Sequence, residues 1–393
     1  MQPVDSIEQV FPCVAVAGPR RLAQVLGRVY GRLGLDVVGV GQVLEGGPEA
    51  ATTSGDAPGQ ADSPAALVAR AADAGAVALH PGGADPSTRG ALAAAAAERG
   101  LVFLGVDGAT AATLADPEGR ARLAQALDLR VTSGEEATEE GPDLERCRRV
   151  EVLVAIDGRG HAETLGERES SFRADPAARG PILREAPSPH LQALAEGEAL
   201  REALFDASLR LAQQAEIRGL LSVEFVLDLE DRFHLVDARP GFELALAPTE
   251  MVLGVDLAEL ELRCFSEAGL PSELGAIHAY GAAVQADLVA RGEVPAGIEE
   301  LRIPPAPLGK LRVDLHVDPG VPIPEAGIPL VTLTAHGPVR HRALQLLDRV
   351  LAATRTHPVP TNVGILREAL NDESVRAGFY DASSGRRIGG SPA

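Results

Sequence analysis

The sequence predicts an α/β fold in which a doubly wound parallel sheet is followed by a region of antiparallel strands and helices. Short apolar runs alternate with helical periodicity over roughly residues 10–130, the pattern of parallel βαβ units. A Gly- and Glu-rich connector at 134–143 ends this pattern, and the longer apolar runs beyond it pair as a hairpin. The chain is therefore expected to contain two kinds of sheet.

The first half is built from short alternating segments. Strands are expected at 13–17, 37–40, 76–79 and 101–104, and helices at 21–33, 64–74 and from about 84 to 99. Residues 46–64 are rich in Gly, Pro, Ser and Thr and predict a loop.

The second half reads differently. A strand is expected at 150–156, a single long helix at 191–215, and a hairpin of 220–227 with 232–236. Helices follow at 257–268, 339–355 and 363–370, short strands fill 275–340, and the tail 383–393 is expected to be disordered. The resulting division is 1–133, a connector at 134–149, 150–270, 271–382 and the tail.

Composition excludes several classes of protein. The 393 residues hold 36 Lys+Arg against 56 Asp+Glu, a net charge of −20, which argues against a nucleic-acid or anionic-membrane partner. The three cysteines are scattered without CxxC spacing, so neither a disulfide framework nor a cysteine zinc site is expected. With no apolar run of membrane-spanning length and no signal peptide pattern, the expected location is the cytoplasm.

Lysine is almost absent from this chain. Lys310 is the only one, so 35 of the 36 basic residues are arginine. Codon bias explains the scarcity of lysine. Whatever its cause, a reaction that needs two lysines cannot take place in this chain.

The hairpin brings two carboxylates together. If its turn is centred on Glu230 and Asp231, Glu224 lies opposite Asp237. Facing carboxylates repel unless a cation lies between them, and a divalent metal is one such cation. The alternative is a slipped register in which one carboxylate is solvated.

Two further motifs are weaker evidence of a functional site than the paired carboxylates. His80 begins a His-Pro-Gly-Gly turn at a strand end, the place where α/β proteins bind ligands, although the turn can equally be structural. Residues 166–169, Gly-Glu-Arg-Glu, are expected to form a charged turn that a solvated salt bridge explains as well as a site does. The GxGxxG, GxxxxGK[ST], HExxH, GxSxG and DxDxDG patterns do not occur.

Taken in order, these segments resemble the biotin carboxylase branch of the ATP-grasp family. The likeness runs collinearly over nearly the whole chain and includes 76–82 (AVALHPG), 103–105 (FLG), 150–153 (VEVL), 166–168 (GER), 185–187 (EAP), 223–225 (VEF), 248–257 (PTEMVLGVDL), 310–316 and 361–363. The resemblance implies a pre-ATP-grasp domain, an ATP-grasp core and a biotin carboxylase C-terminal region. It also implies metal ligands at Glu224 and Asp237, nucleotide contacts at Glu151 and His80, and a retained family arginine at Arg312.

The departures from the family pattern fall on its catalytic parts. The resemblance places a lid subdomain with a phosphate-binding lysine before residue 150, but only the short connector stands there, and a second nucleotide lysine is replaced in the segment 115–117. The catalytic arginine becomes Gly241, the general-base glutamate Ala245 and the bicarbonate-contacting glutamine Glu243, while the asparagine becomes Arg239. Removing a general base typically costs ~10²–10⁴ in rate.

These departures predict a catalytically inactive biotin carboxylase-like pseudoenzyme, without the lid, that has a structural or regulatory role in an acyl-CoA carboxylase-type complex. The resemblance implies a homodimer, with an active biotin carboxylase, a biotin carrier or carboxyltransferase subunits as partners. Two alternatives stay open: an active or partner-assisted ATP-dependent biotin carboxylase, and a module that senses Mg²⁺-nucleotide. No cofactor is assigned, and Mg²⁺ with ATP belongs to the alternatives.

Overall fold

The fold is taken from a computed structural model of the chain. It describes residues 7–18, 20–40, 63–82, 84–132, 142–144, 146–173, 180–292, 297–317, 320, 323, 327 and 329–389.

A four-stranded parallel sheet forms the N-terminal part, with the strand order β2-β1-β3-β4. Ser63, Asp85, Asp107 and Asp116 cap helix N-termini by accepting backbone N–H bonds, which is why helices begin directly after them. The elements are α1 (Ile7–Val10), β1 (Cys13–Val16), α2 (Arg20–Arg32), β2 (Asp36–Gly39), α3 (Pro64–Asp73), β3 (Ala78–His80), α4 (Pro86–Glu98), β4 (Val102–Phe103), α5 (Gly108–Ala115) and α6 (Pro117–Ala126).

The larger sheet has eight strands in the order β12-β13-β10-β7-β6-β5-β8-β9, and its pairs are antiparallel. Its strands are β5 (Arg148–Ile156), β6 (Ala162–Glu169), β7 (Leu183–Ala186), β8 (Gly219–Leu227), β9 (Phe233–Pro240), β10 (Ala282–Val289), β12 (Leu311–Leu315) and β13 (Pro329–Gly337). β11 (Glu300–Arg302) and β14 (Arg355–His357) form a separate pair.

The helices of this part are α7 (Pro189–Ala193), α8 (Gly197–Gln214), α9 (Ala247–Leu253), α10 (Leu257–Phe265), α11 (Arg340–Ala353), α12 (Val363–Asn371), α13 (Glu373–Ala377) and α14 (Ala382–Gly389). Two 3₁₀ turns, Leu244–Leu246 and Leu274–Ala276, complete the set.

Two of these expectations differ from the structure, and others lie outside the described residues. The predicted long helix is two helices: α7 ends because Leu194 has an extended conformation (φ −72°, ψ 141°), and α8 begins at Gly197, where an added Cβ would lie 1.9 Å from the carbonyl oxygen of Leu191. The tail is helical over Ala382–Gly389 and buries Ile388, so the prediction of disorder is wrong there. The predicted loop at 46–64 lies almost wholly outside the described residues, as do most of the connector and residues 390–393.

The two faces of the eight-stranded sheet have different chemistry. Val150, Val152 and Val154 of β5 point to one face, where they pack with the apolar side of α8. Residues at alternate positions point to the other face, where buried polar side chains run from strand to strand. They include Arg149 and Glu151 of β5, Ser222 and Glu224 of β8, Gln285 and Asp287 of β10, and Thr332, Thr334 and His336 of β13.

A second set of buried charges lies on the face that carries Val150. Glu185 accepts two bonds from Arg340, at 2.6 and 2.8 Å, and one from the Tyr380 hydroxyl at 2.8 Å. Glu169, which pairs with Glu185 across β6 and β7, accepts from Arg148 Nε at 3.0 Å. We call these five residues the Glu185 cluster. They attach α11 and the chain after α13 to the sheet.

Among the described residues, no helix is long and apolar enough to cross a membrane.

Candidate functional site

The β8–β9 hairpin sets two carboxylates side by side. Glu224 pairs with Asp237, as the sequence predicts. The turn is one residue tighter than expected, since Phe225 pairs with Leu235, and a bulge between Glu224 and Phe225 restores the predicted register further from the turn. The pairing prediction is therefore confirmed.

The cation that lies between these carboxylates is an arginine. Arg239 Nη1 donates to Glu224 Oε2 at 2.9 Å and to Asp237 Oδ2 at 3.1 Å. Its Nη2 donates to Glu151 Oε2 at 3.0 Å, and its Nε donates to Glu243 Oε1 at 3.2 Å. One guanidinium thus joins four carboxylates, and we call these five residues the Arg239 cluster.

Arg239 is held in the charged state by its surroundings. Burial alone would lower the pKa of its guanidinium, but the charges of Glu243, Glu151, Glu224 and Asp237 raise it well above its ordinary value. The side chains of Arg239, Asp237 and Glu243 are about one-third exposed, whereas Glu151 and Glu224 are buried, so the cluster extends from the interior of the sheet's polar face to its margin.

The remaining oxygens of the two facing carboxylates are also occupied. Glu224 Oε1 accepts from Arg149 Nη1 at 2.7 Å. Asp237 Oδ1 accepts from the Ala238 N–H at 2.9 Å and lies 3.4 Å from Arg120 Nη1. A divalent cation at Glu224 and Asp237 would have to displace Arg239 and compete with Arg149, and no group of three or more His, Cys, Asp or Glu side chains in the described part of the chain has the arrangement of a metal site. The side chains as arranged do not fit the Mg²⁺ that the resemblance implies.

Glu151 is the centre of the cluster on β5. It lies opposite Arg168 of β6 on one side and Glu224 of β8 on the other. Arg168 Nη2 donates to Glu151 Oε2 at 2.5 Å. Burial by itself would raise the pKa of Glu151, but Arg168 and Arg239 outweigh burial and hold the pKa well below its ordinary value. The predicted nucleotide contact is thus an ionised carboxylate bonded to two arginines.

His80 lies at the end of β3 and is buried. Its Nδ1 accepts from the Gly82 N–H at 2.9 Å, which leaves Nε2 as the donor to Glu261 Oε2 at 3.0 Å. A Cβ on Gly82 would lie 1.8 Å from the carbonyl oxygen of Ala17, so only glycine fits this turn. Both ring nitrogens of His80 therefore serve the junction between β3 and α10, and neither is directed to a ligand.

Arg312 and Lys310 lie at the opposite edge of the sheet from the hairpin. Arg312 Nε donates to Asp314 at 2.7 Å, and Nη1 is bonded to Glu250 of α9. Lys310, just before β12, has Nζ 3.4 Å from His336 Nδ1. β13, β10, β7, β6, β5 and β8 separate the strand of Arg312 from the strand of Arg239. The retained arginine is therefore paired with carboxylates of its own.

Gly241 and Ala245 follow β9 directly. Gly241 has φ +99°, a conformation that favours glycine, and a Cβ built there would lie 3.7 Å from Glu261 Oε1 and 3.9 Å from Arg89 Nη1. Ala245 lies in the 3₁₀ turn Leu244–Leu246. At both positions the chain supplies no group that could move a proton or hold a charge, while the neighbouring Glu243 is engaged by Arg239.

Sequence reasoning missed the bridging role of Arg239 and the burial of Arg168. The predicted charged turn at 166–169 is in fact the end of β6, and Arg168 is fully buried there. The sequence does contain a signal, because residues two apart on a strand point to the same face. Opposite charges stand two apart on β5, at Arg149 and Glu151, and on β9, at Asp237 and Arg239. Such alternation places each arginine beside the carboxylate of the adjacent strand.

Comparisons with known proteins agree with this fold. The ATP-binding domain of the carbamoyl-phosphate synthase L chain matches residues 140–272 as a sequence family. Biotin carboxylase from Halalkalibacterium halodurans is 26% identical over 241 residues, 60% of this chain and 51% of that protein. The alpha subunit of mitochondrial methylcrotonoyl-CoA carboxylase from Arabidopsis thaliana is 27% identical over 242 residues, 60% of this chain and 32% of that protein. The matched part therefore spans about half of these curated relatives or less.

Among solved structures, the biotin carboxylase domain dimer of 2-oxoglutarate carboxylase from Hydrogenobacter thermophilus, in complex with MgADP, ADP and bicarbonate, superimposes with a TM-score of 0.82. The identity is 17%, and the alignment covers 98% of this chain and 99% of that one. The chain is a biotin carboxylase-like protein with the ATP-grasp fold, which confirms both the resemblance and the predicted fold class.

Proposed function

We propose that this biotin carboxylase-like chain is a catalytically inactive member of an acyl-CoA carboxylase-type complex, in which its fold serves assembly or regulation. The observation that carries the proposal is the position of Arg239, whose guanidinium bonds Glu224 and Asp237 where the resemblance implies a divalent metal. Phosphoryl transfer depends on metal ions that neutralise the charge developing on the phosphates. A guanidinium already committed to four carboxylates cannot supply that charge.

The residues beside the hairpin support the same proposal. Gly241 and Ala245 stand where the resemblance implies a catalytic arginine and a general base, and neither can take that role. Loss of a general base alone typically costs ~10²–10⁴ in rate. The only lysine lies near β12, at the far edge of the sheet from the hairpin.

The short link between α6 and β5 also supports it. Residues 127–147 are all that joins Ala126 to Arg148, whereas independently folded domains have about 50 residues or more. We infer that this chain lacks the lid subdomain. A site without a lid admits water, and water weakens every electrostatic interaction that would stabilise a transition state.

The proposed partners follow from the relatives. A homologous domain has been solved as a dimer, and another relative is the alpha subunit of a carboxylase. We propose that this chain forms a homodimer and assembles with an active biotin carboxylase, a biotin carrier or carboxyltransferase subunits, in the cytoplasm.

Turnover measurements test the proposal directly. ATP hydrolysis by the full chain is measured with Mg²⁺, free biotin and bicarbonate, beside the Halalkalibacterium halodurans enzyme as the active control. We expect no biotin-dependent hydrolysis above the rate without protein. Biotin-dependent turnover at an ordinary enzyme rate, about 1 s⁻¹ or more, would contradict the proposal and establish the active alternative.

Thermal unfolding in the same mixtures tests the sensor alternative. We expect the unfolding midpoint to be the same with and without Mg²⁺-ATP. A rise in the midpoint without turnover, abolished by Glu224→Ala and kept by the exposed-site control Glu198→Ala, would establish a nucleotide-sensing module instead.

A further inference from the structure

The only lysine of the chain is paired with a histidine and not with a carboxylate. Lys310 Nζ lies 3.4 Å from His336 Nδ1, and within the described part of the chain it reaches no other acceptor. The chain has 56 Asp and Glu residues, so charge alone would favour a carboxylate partner. The neighbouring carboxylates are taken, because Arg312 binds both Asp314 and Glu250. The pairing of Lys310 with an imidazole therefore calls for a reason other than charge neutralisation.

The hydrogen bonds of His336 determine which ring nitrogen is the acceptor. Nε2 lies 2.9 Å from the carbonyl oxygen of Tyr280, and a carbonyl only accepts, so Nε2 carries the ring hydrogen. Nδ1 is then unprotonated and accepts from Lys310 Nζ. The backbone holds the pair together, since the His336 N–H donates to the carbonyl oxygen of Lys310 at 2.9 Å. A proton acceptor is thus fixed beside the amine.

The pair lies at an open part of the surface. Lys310 is half-buried and follows a tight turn through Leu308 and Gly309, in which Gly309 has φ +71°. Leu308 is fully exposed. Tyr280, whose ring centroid lies 6.1 Å from that of His336, is two-thirds exposed. The lysine is therefore neither enclosed in the core nor held in an ion pair.

We propose that Lys310 is an acylation site, at which its amine takes an acyl group from a thioester and His336 acts as the proton acceptor. The lone pair of the nitrogen attacks the thioester carbonyl, the N–C bond forms, and the C–S bond breaks with its electron pair on sulfur. The ammonium nitrogen loses two protons in this step. One passes through His336 Nδ1 to water and the other goes to the departing sulfur, so the products are an amide and a free thiol.

The chemistry of the pair favours a thioester over an oxygen ester. Thiols are stronger acids than alcohols, so a thiolate leaves readily where an alkoxide does not. The product also keeps the contact, because the amide nitrogen of an acylated lysine retains one N–H that can donate to Nδ1. Acylation removes the only lysine charge of the chain. The step needs neither ATP nor a metal, so it goes beyond the proposed function and its test is independent of that proposal.

The test is acetylation of the full chain by S-acetyl-N-acetylcysteamine, a small thioester, followed by intact mass and by mapping of the acetylated peptide. We expect a single acetyl group on Lys310. At pH 7.5 it should be added about a hundredfold faster than to free Nα-acetyllysine, which is the lower end of what a positioned base contributes. Lys310→Arg should not be acetylated at this position.

His336→Gln separates proton transfer from structure. Glutamine can keep both hydrogen bonds, to the Tyr280 carbonyl and from Lys310 Nζ, but it is not a base. The unfolding midpoint should stay unchanged while the rate at pH 7.5 falls about a hundredfold. The unprotonated fraction of an unassisted amine rises about tenfold per pH unit in this range, so the wild-type and variant rates should converge by pH 9.5.

His341→Gln is the matched control, because it makes the same change at an exposed position of α11 and should leave the rate unchanged. The inference is overturned if Lys310 reacts no faster than Nα-acetyllysine, if the α-amino group is acetylated in its place, or if His336→Gln reacts at the wild-type rate.

Discussion

The Glu185 cluster and the Arg239 cluster lie on opposite faces of the same sheet, yet they are bonded in different ways. In the first, Arg340 and Tyr380 satisfy both oxygens of Glu185, and Ser188 and Ser171 complete the bonds to Glu169. In the second, one guanidinium is shared among four carboxylates, and unpartnered donors lie on the adjoining strands. Complete bonding is typical of a structural role, and incomplete bonding is typical of a site.

The largest effect is expected from breaking the complete cluster. Glu185→Ala removes the carboxylate that binds the Tyr380 hydroxyl and the largely buried guanidinium of Arg340, which keeps its bonds to two backbone carbonyls, and loss of one partner of a buried ion pair costs about 3–5 kcal/mol. Urea unfolding should show this loss in the free energy of unfolding. Glu198→Ala, at an exposed pair of α8, is the control and should cost less than about 1 kcal/mol. A loss of similar size in both variants would mean that the Glu185 cluster is not a structural anchor.

Arg239→Ala is expected to cause a smaller loss of stability and to create a site that binds divalent ions. Four carboxylates then lose a shared, partly solvated cation, for which we expect a cost of about 2–3 kcal/mol. Mg²⁺ or Mn²⁺ should now stabilise the variant, by about 2.7 kcal/mol when the metal is present at 100 times its Kd. The wild type should not respond.

The double variant Arg239→Ala with Glu224→Gln distinguishes metal binding from general screening. It should lose the response to divalent ions, because one of the two facing carboxylates is then neutral. A response of the wild type equal to that of Arg239→Ala would show that Arg239 does not occupy the place of a metal.

The smallest loss of stability is expected from lowering the pH. The pKa of Glu151 is lower in the folded state than in the unfolded state, so its contribution to stability is present above an unfolded-state pKa of about 4.3 and is lost as the pH falls toward the folded value. Between pH 5 and pH 3 this loss is at most about 2 kcal/mol. The difference in unfolding free energy between wild type and Glu151→Gln should be constant above pH 5 and shrink below it. A difference that stays constant down to pH 3 would be inconsistent with the ionised, arginine-bonded carboxylate.

More of the fold than of the candidate site could be predicted from the sequence. The pairing of Glu224 with Asp237 could be predicted because hairpin register depends on local chain length, and the bulge corrected the one-residue error in the turn. The alternating charges of β5 and β9 indicate which side chains of each strand share a face, but they do not show that Arg239 lies beside Glu151, because that contact depends on β5, a strand far away in sequence. Which strands are neighbours in the sheet is not contained in the local pattern of either strand.

Gly166 shows how a local rule misled. A glycine followed by three charged residues is typical of an exposed turn. In the structure Gly166 has φ +80° within β6, beside a register shift between Val152 and Val154 of β5, so it belongs to a bulge in a strand that is buried at its end. The burial of Arg168 follows from this bulge and from the strands on either side, neither of which the sequence of 162–169 reveals.

Labelling of Lys310 would show whether a partner protein binds this chain. Apart from a free α-amino group, it is the chain's one site for amine-reactive reagents, and it lies next to β12, the outermost strand of the large sheet. A fluorophore or photo-crosslinker attached there would mark one known place at that edge, with no engineered residue. The labelled chain would report whether a partner protein covers the edge, and a crosslinked peptide would name the partner.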